Sequence, residues 1–276
     1  MSDFPWRLVK SLSSKKERER TGLTVAEGPP SVVSALESET EIQFVAVSES
    51  YRTSVEFSAL ARRLEAGGSA SSSRLYVVPD ALFERISGTR TPLGVLCVLP
   101  WPFRFARGDP KGFWEIPLYL CGVDIQDPGN AGAIIRAAAA AGCGGVWFLG
   151  DSADVFAPKC IRSSAGAVFK VRVSQESVAT PGSVLKRLGE DGVSVYRAVP
   201  RGGEPPWDLD FSGPSAFVVG NEAHGLDADV MGGPGRDVTI PMPGATESLN
   251  VALASGMLLY EATRQRLALM GSPAMV

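Results

Sequence analysis

Short apolar runs that alternate with helical stretches constrain the fold more than any other feature of this sequence. From residue 116 onward, strand-like runs occupy 118–123, 145–149, 168–173, 193–199, 215–219 and 238–242, and helices are expected at 131–141, 183–188 and 250–270. Strands that are apolar throughout, rather than at every second position, are typical of a parallel sheet buried on both faces. The pattern therefore predicts an α/β domain built on a parallel sheet.

A smaller pattern of the same kind precedes this domain. Strand-like runs at 23–26, 43–47, 75–78 and 93–99 alternate with helical stretches, and the Gly- and Ser-rich residues 67–73 are typical of a surface loop. We predict a small α/β domain over 1–100, a linker rich in Pro, Gly and charge over 101–115, and a second domain over 116–276. The alternative is that 101–115 is a long surface loop within one domain.

The composition excludes several classes of protein. The 276 residues are 45% hydrophobic with a formal net charge of −3, which is typical of a globular protein and not of a disordered one. Four cysteines without a Cys-x-x-Cys pair and a single histidine, His224, favour reduced thiols and no structural metal. The first 16 residues lack an apolar signal core, and the apolar stretch 131–150 contains Arg136. We therefore expect a soluble, cytoplasmic protein.

Residues 123–136 form the first candidate motif, in which a strand ends at a Pro-Gly turn and a helix follows. Asn130 occupies the expected N-cap position, where free backbone N–H groups can hold a phosphate or ribose oxygen. Arg136 is the one cation in an otherwise Ala-rich helix, so we expect an anionic partner for it. The alternative is an ordinary capped helix whose arginine reaches the solvent.

The second motif, residues 216–226, is an apolar strand that runs directly into Gly220, Asn221 and Glu222. Glycine at the carboxyl end of a strand lets a ligand approach the backbone closely, and such strand ends bind ligands in open α/β sheets. His224 follows in the same segment, and we expect it to be a loop residue rather than a general base.

The third motif, residues 239–251, is a strand followed by a Pro- and Gly-rich loop and then a long helix that we expect to begin at Ser248. Its chemistry cannot be derived from Ser248 and Asn250 alone. The chain contains neither Gly-x-Gly-x-x-Gly after a first strand nor Gly-x-x-x-x-Gly-Lys, so a nicotinamide-dependent dehydrogenase and a nucleotide triphosphatase have no support.

Taken in order, these segments resemble the three signature motifs of the SpoU/TrmH methyltransferases. The residues that carry the resemblance are Asn130–Arg136, Gly220–Leu226, Ile240–Met242 and Ser248–Val251, with further similarity at Arg162–Ala167 and Glu261–Arg266. The resemblance covers about 117–268. Glu27-Gly28 and Thr91–Leu96 also resemble the small substrate-binding domain of the ribosomal-RNA members, which is similar to certain ribosomal proteins.

The resemblance implies a fold and a cofactor. The C-terminal domain is expected to be a trefoil-knotted parallel-sheet methyltransferase domain of the SPOUT class, which is an exception to the rule that chains are unknotted. It is expected to bind S-adenosylmethionine in a bent form, and the positions carried over for this cofactor are Gly220, Ile240, Leu249 and Asn250. The family also implies a homodimer whose active site is completed across the interface, with no metal.

The same resemblance implies residue roles. Arg136 and Asn130 are assigned to the substrate ribose and phosphate, supported by Glu222, Ser248 and Asn250. The pKa of a free guanidinium is so high that we expect Arg136 to stabilise the developing 2′-alkoxide electrostatically rather than to act as a base.

Positive charge is concentrated in residues 7–20, and we call its six cations the basic segment. Under the resemblance these residues are expected to contact RNA phosphates, although a solvated charged helix remains the alternative. The basic segment comprises Arg7, Lys10, Lys15, Lys16, Arg18 and Arg20.

The function implied is 2′-O-methylation of a ribose in structured RNA with S-adenosylmethionine as methyl donor. The separate N-terminal domain favours large-subunit (23S) ribosomal RNA as the substrate. Two alternatives stay open. One is a tRNA 2′-O-methyltransferase, and the other is a non-catalytic RNA-binding protein with a degenerate methyltransferase domain.

Overall fold

The structure is a computed structural model that describes residues 4–38, 40–65, 74–101, 112–176, 180–244 and 246–270. The strands are β1 (Leu23–Glu27), β2 (Phe44–Ser48), β3 (Arg74–Val78), β4 (Val95–Pro100), β5 (Leu118–Val123), β6 (Gly145–Leu149), β7 (Val173–Glu176), β8 (Ser194–Ala198), β9 (Ser215–Val219) and β10 (Arg236–Val238). The helices are α1 (Trp6–Ser11), α2 (Lys15–Thr21), α3 (Pro29–Glu37), α4 (Glu49–Arg52), α5 (Val55–Glu65), α6 (Asp80–Ile86), α7 (Pro128–Ala140), α8 (Pro158–Ser163), α9 (Pro181–Glu190), α10 (Ala228–Met231) and α11 (Val251–Met270).

The chain divides into two compact units. The first unit comprises Met1–Asp109 and Phe156–Lys170, and the second comprises Pro110–Val155 and Val171–Val276. Most of the linker predicted over 101–115 and the loop predicted over 67–73 lie outside the described residues. The division into an RNA-binding and a catalytic domain stays a prediction.

A four-stranded mixed sheet of order β1-β4-β2-β3 forms the centre of the first unit. Strand β4 pairs antiparallel with β1 and β2, whereas β2 and β3 are parallel. One face of this sheet buries Val25, Phe44 and Leu96 against Leu12 of the chain after α1 and Phe83 of α6. Burial of large apolar side chains contributes about 1.5–3 kcal/mol each, so this cluster stabilises the small unit substantially.

The segment 156–170 belongs to the first unit although it follows β6 of the second in the chain. The buried Thr24 hydroxyl on β1 donates to the Phe156 carbonyl over 3.0 Å, and α8 packs along β1. The strand predicted over 168–173 is wrong, because Ala167–Phe169 form a 3₁₀ turn and β7 begins only at Val173. Apolar residues in a buried turn have the same composition as a short strand, so the sequence pattern alone does not separate them.

A six-stranded sheet of order β10-β8-β9-β5-β6-β7 forms the second unit, and every pairing in it is parallel. The prediction of a parallel sheet is confirmed, and its strands β5, β6 and β9 have the predicted bounds. The last predicted strand is misplaced: β10 ends at Val238, and 239–243 have no regular structure. Prolines at 241 and 243 lack the N–H that a strand ladder requires, which explains the early end.

Within the second unit, the buried side chain of Arg266 attaches helix α11 to neighbouring loops. Its guanidinium donates to the carbonyl oxygens of Ile116, Pro117, Phe211 and Gly213 at 2.6–3.1 Å. Only 4% of this residue is exposed. Ser215 also donates to the carbonyls of Pro117 and Gly213. The bonds from Arg266 therefore matter most for the carbonyls of Ile116 and Phe211, and they attach α11 to the segment that precedes β5.

Candidate active site

The first two motifs meet because β5 and β9 are parallel neighbours in the sheet. Strand β5 ends at Val123 and β9 at Val219, so the segments that follow these two strands leave the sheet at the same edge. The connections from β5 run toward β6 and β7, whereas β8 and β10 lie on the other side of β9. The strand order thus reverses at the β5–β9 pair, which is where open α/β sheets form a ligand crevice.

The first motif opens α7 one turn earlier than expected. Asp127 is the N-cap, and its Oδ1 accepts from the Gly129 N–H over 3.1 Å, with Pro128 at the first helical position. The prediction that Asn130 is the N-cap is wrong, because Asp-Pro is the stronger helix start and moves Asn130 into the first turn. The Asn130 side chain is therefore free to face a neighbouring loop.

The second motif forms a tight turn that is held by Asn221. Its Oδ1 accepts from the backbone N–H groups of Ala223 (2.8 Å) and His224 (3.2 Å), and its Nδ2 donates to the Asp124 carbonyl over 2.9 Å. Asp124 has a left-handed backbone with a φ of 54°, which a non-glycine residue rarely adopts. Sequence reasoning missed this link between the first two motifs, although Asn in a Gly-rich turn is a known signal for such bonds.

The third motif ends where α11 begins, at Val251 rather than at Ser248. Asn250 takes the capping role, because its Oδ1 accepts from the N–H groups of Ala252 (3.0 Å) and Leu253 (3.2 Å). The expectation that the helix begins at Ser248 is therefore wrong. Ser248 lies exposed in the preceding loop.

Three of the proposed catalytic residues form one hydrogen-bonded chain. Asn130 donates through Nδ2 to Glu222 Oε1 and accepts through Oδ1 from Asn250 Nδ2 over 3.0 Å. Each residue comes from a different motif, so the amide of Asn130 connects all three. Because these bonds use both ends of the amide, they determine which end faces which neighbour.

A cavity of about 600 Å³ lies between the second and third motifs. Its volume falls in the range of pockets for cofactor-sized molecules. Among its lining residues are Gly220, Glu222, Ile240, Ser248 and Leu249, all of which the sequence resemblance had singled out. Sequence reasoning missed others, including Val199 and Met231, since loop and helix residues outside the three motifs carry no local signal.

The apolar wall of this cavity and the polar turn beside it match the two chemical parts of S-adenosylmethionine. Ile240, Met242 and Leu249 offer an apolar surface of the kind that a flat adenine ring requires. A Cβ added at Gly220 would lie 2.5 Å from the carbonyl carbon and oxygen of Gly225, so only glycine permits the backbone to approach itself this closely there.

Arg136 lies outside the hydrogen-bonded chain. Its side chain is exposed, and in the part of the chain that the structure describes it forms neither an ion pair nor a hydrogen bond. The expectation of an anionic partner stays a prediction, which the phosphate of a substrate would satisfy. Arg136 lies six positions after Asn130, which places the two about 120° apart around α7, so they face different directions.

The basic segment is mostly at the surface, but one of its members is buried. Arg18 is only 2% exposed, and its guanidinium donates to the carbonyls of Leu12 (2.8 Å) and Ser13 (3.0 Å), which satisfies groups at the end of α1. Arg18 therefore stabilises the fold, and its predicted contact with RNA is not compatible with this position. Arg20 is exposed and paired with Glu17 at 2.7 Å.

The described ranges hold neither a candidate metal centre nor a candidate membrane-spanning helix. They contain no group of three or more His, Cys, Asp and Glu residues arranged to hold a metal ion. Within the same ranges, no helix combines the length and apolar character needed to cross a bilayer. His224 lies exposed in the turn of the second motif.

Two family models match the chain. The model described as the SpoU rRNA methylase family matches residues 117–260, and the one described as the MRM3-like substrate binding domain matches 7–97. The chain is 32% identical over 252 residues to the 23S rRNA (guanosine(2553)-2′-O)-methyltransferase RlmP of Bacillus subtilis. The aligned residues span 91% of this chain and 92% of that protein.

A second relative and a solved structure agree with this result. The 23S rRNA (uridine(2479)-2′-O)-methyltransferase of Streptomyces viridochromogenes is 32% identical over 204 residues, spanning 71% of this chain and 69% of that protein. The crystal structure of the SpoU methyltransferase AviRb from S. viridochromogenes in complex with AdoMet superposes with a TM-score of 0.77 at 26% identity, over 95% of this chain and 98% of that one.

Proposed function

Because the chain belongs to the SpoU rRNA methylase family, and is thus an RNA 2′-O-methyltransferase that uses S-adenosylmethionine, we propose that it methylates a ribose of large-subunit (23S) ribosomal RNA at the site described above. The observation that carries this proposal is the Glu222–Asn130–Asn250 chain, which joins three separate motifs beside a cofactor-sized cavity. The relatives of similar length that act on 23S rRNA, and the matched substrate-binding domain, favour ribosomal RNA over tRNA.

S-adenosylmethionine supplies an electrophilic methyl group when it is bound. The cavity residues Gly220, Ile240 and Leu249 would hold this cofactor, the last two through their apolar side chains and the first through its backbone at the cavity wall. Asn250, which caps α11, borders the site through its bond to Asn130.

The role of Asn130 follows from its partners. Since Glu222 and Asn250 determine the orientation of its amide, Asn130 would hold the substrate ribose or phosphate in one geometry. Alignment of the 2′-oxygen with the methyl group can by itself account for several kcal/mol of the barrier. Ser248, exposed on the cavity wall, would support the same contact.

Arg136 would stabilise the negative charge that develops on the 2′-oxygen and hold the adjacent phosphate. Its position on a different face of α7 from Asn130 favours a site completed by two copies of the chain, in which the guanidinium of one copy serves the cavity of the other. An exposed arginine without a described partner is available for such a role.

A homodimer through the second unit is supported by an apolar stripe on α11. Leu253, Met257 and Tyr260 are 51%, 43% and 71% exposed and lie at spacings of four and three, which places them on one face of the helix. Helix α11 also packs against α7, which carries Arg136. Association through this stripe would bury apolar surface and bring Arg136 toward an interface.

A trefoil knot in the second unit is supported by the hydrogen bonds of the connection between β8 and β9. Near its start, Thr239 donates to the Val199 carbonyl (3.0 Å) and accepts from the Gly203 N–H (2.9 Å). Near its end, Phe211 bonds to Gln265 at 2.8 Å. Thr239 and Gln265, which both follow this connection in the chain, are thus bonded near its start and near its end. This arrangement is expected if the segment after β9 passes through the connection.

The first unit would bind the RNA. The exposed cations of the basic segment, without Arg18, are suited to phosphate contacts, which would make the affinity depend on salt. We place the boundary between the RNA-binding and catalytic domains in the predicted linker, and we place the protein in the cytoplasm because ribosomal RNA is its proposed substrate.

The experiment that tests this function is transfer of tritium from labelled S-adenosylmethionine to unmodified ribosomal RNA and to unmodified tRNA. An Arg136→Ala protein serves as the control. Label that enters ribosomal RNA at an alkali-resistant linkage is the expected result, because a 2′-O-methyl group blocks cleavage of the following phosphodiester. Label in tRNA alone would replace the proposed substrate by the alternative one.

If neither RNA is labelled, a titration with S-adenosylmethionine decides the next step. Failure to bind it would support the non-catalytic RNA-binding alternative. Normal binding would instead direct the search to an assembly intermediate of the ribosome as the substrate.

A further inference from the structure

Three sequence segments that the catalytic site does not use come together in the first unit. The carboxylate of Glu27, at the end of β1, accepts from the Ser87 hydroxyl, from the Gly88 N–H (3.0 Å) and from Arg162 Nη1 (3.2 Å). Glu27 is only 3% exposed, and Arg162 lies on α8 in the segment 156–170. One buried, charged group therefore fixes the start of the turn Ser87–Gly94, and the ion pair strengthens the attachment.

The far end of this turn is fixed as tightly. Gly94 has a φ of 75°, and a Cβ there would lie 2.7 Å from Tyr51 Cβ and 2.8 Å from Ser48 Oγ, so a side chain would not fit. The Ser48 N–H also donates to the Gly94 carbonyl over 2.8 Å. With both ends attached to the core, the turn has little freedom to move.

The middle of the turn is nevertheless exposed. Arg90 and Thr91 are at the surface, and Leu93 is 61% exposed although it is a large apolar residue. A cavity of about 270 Å³ adjoins it, lined by Pro92, Leu93, Ser50, Asp80 and other residues of β2, α4 and α6. A rigid turn that presents a cation and an apolar side chain beside a cavity is a binding surface rather than a stabilising contact.

We propose that the turn Ser87–Gly94 and this cavity bind one unpaired nucleotide of the substrate RNA. Arg90 contacts its phosphate, and the base packs on Leu93 and enters the cavity. The hydroxyl of Ser50 and the carboxylate of Asp80 lie at the cavity wall, where they can accept hydrogen bonds from the N–H groups of a base.

The chemistry favours an unpaired nucleotide over a duplex. Proteins recognise RNA sequence mainly through single-stranded loops, whose unstacked bases can leave the helix and pack on side chains. The cavity is of the size that one base requires and not that of a groove, and the single exposed arginine of the turn matches one phosphate. This inference rests on the proposed function, because it names how the RNA substrate is held.

The test compares two single variants with two matched controls of the same unit. Arg90→Ala removes the cation of the turn, and Arg62→Ala removes an exposed cation from α5. Leu93→Ala truncates the apolar contact, and Val55→Ala truncates a side chain on α5 that is 86% exposed. The measurements are the dissociation constant for an unmodified 23S rRNA transcript over a range of salt concentrations, and that for S-adenosylmethionine.

Arg90→Ala is expected to weaken RNA binding several-fold and to lower the slope of log affinity against log salt by about 0.7, the value for one single-strand phosphate contact. Leu93→Ala is expected to weaken binding roughly fivefold with an unchanged slope, at the lower end of what loss of base stacking causes. Neither variant should change the affinity for S-adenosylmethionine, and both controls should bind RNA like the wild type.

A second experiment does not depend on catalysis. Photocrosslinking of a 4-thiouridine-substituted 23S rRNA transcript to the wild-type protein, followed by mass spectrometry, is expected to mark peptides of the turn. Crosslinks that avoid the turn, or RNA affinities of the two variants equal to those of the controls, would overturn the proposal. If the protein binds and crosslinks through the turn but transfers no methyl group, the proposed function fails and this inference stands.

Discussion

Substitution of Gly220 by alanine tests whether the turn of the second motif determines cofactor binding. The added Cβ would lie 2.5 Å from the Gly225 carbonyl carbon and oxygen and 2.8 Å from the Leu226 nitrogen. All three are backbone atoms, so no side chain can rotate away. Since ordinary carbon contacts begin near 3.5 Å, the opposite side of the turn must retreat by about 1 Å.

The turn resists this movement because it is closed by its own hydrogen bonds. The Gly225 N–H donates to the Asn221 carbonyl over 2.9 Å, and the Asn221 side chain is bound to Asp124. Overpacking of this kind costs about 1–3 kcal/mol. If the turn moves to relieve the clash, binding of the cofactor must return it to its original position and restore the clash. The same free energy is then lost from cofactor binding, which corresponds to a roughly 5- to 150-fold weaker affinity.

The assay is isothermal titration of S-adenosylmethionine together with thermal unfolding, with and without the cofactor. Gly220→Ala should melt several degrees lower than the wild type. It should also gain less stability from the cofactor, because that gain depends on the ratio of cofactor concentration to dissociation constant.

Gly244→Ala is the matched control. Gly244 lies in the loop of the third motif, and a Cβ there would have nothing within 4 Å. It should leave both measurements near their wild-type values. Wild-type cofactor affinity in Gly220→Ala would refute the steric reasoning, and so would a Gly244→Ala protein that is equally impaired.

Three further perturbations have defined outcomes. Arg136→Ala should abolish methyl transfer while leaving the affinity for S-adenosylmethionine nearly unchanged, and a large loss of that affinity in a titration would contradict its assignment to the RNA side. Arg266→Ala should lower the free energy of unfolding by about 3–5 kcal/mol in urea, because it removes a buried side chain and leaves the carbonyls of Ile116 and Phe211 without a donor, whereas exposed Arg264→Ala should cost under about 1 kcal/mol. Burial raises the pKa of Cys121 to about 12, so this thiol stays protonated below that pH and should react with a disulfide reagent only after unfolding. The unfolded thiol ionises from about pH 9, so stability should fall above that pH, and rapid native-state labelling at pH 8 would contradict the burial.

Much of the second unit could be predicted because its signals are local. Strands β5, β6 and β9 are apolar runs bounded by glycines and turn residues, and their uniform apolarity correctly indicated a parallel sheet. The errors also have local causes. Ala167–Phe169 have the composition of a strand but form a turn, and Asp127-Pro128 starts α7 ahead of Asn130.

The candidate site was predictable as a set of residues but not as an arrangement. The resemblance indicated Asn130, Glu222 and Asn250, yet nothing in the chain indicates that one amide bonds to both of the others. Those bonds join residues 92 and 120 positions apart. The RNA contact predicted for Arg18 was wrong for the same reason, since the exposure of a side chain depends on which elements pack against its helix.

The fold class and the family could be inferred from the amino-acid sequence, which also indicated candidate site residues, because backbone periodicity, turn residues and motif order are properties of short stretches of chain. Three features became apparent only in the folded protein: residues 156–170 join the first unit, Glu27 and Arg162 fix the turn at Ser87, and Asn130 connects three motifs. These are contacts between distant residues. Their free energy depends on positions that only the packed sheets and helices define.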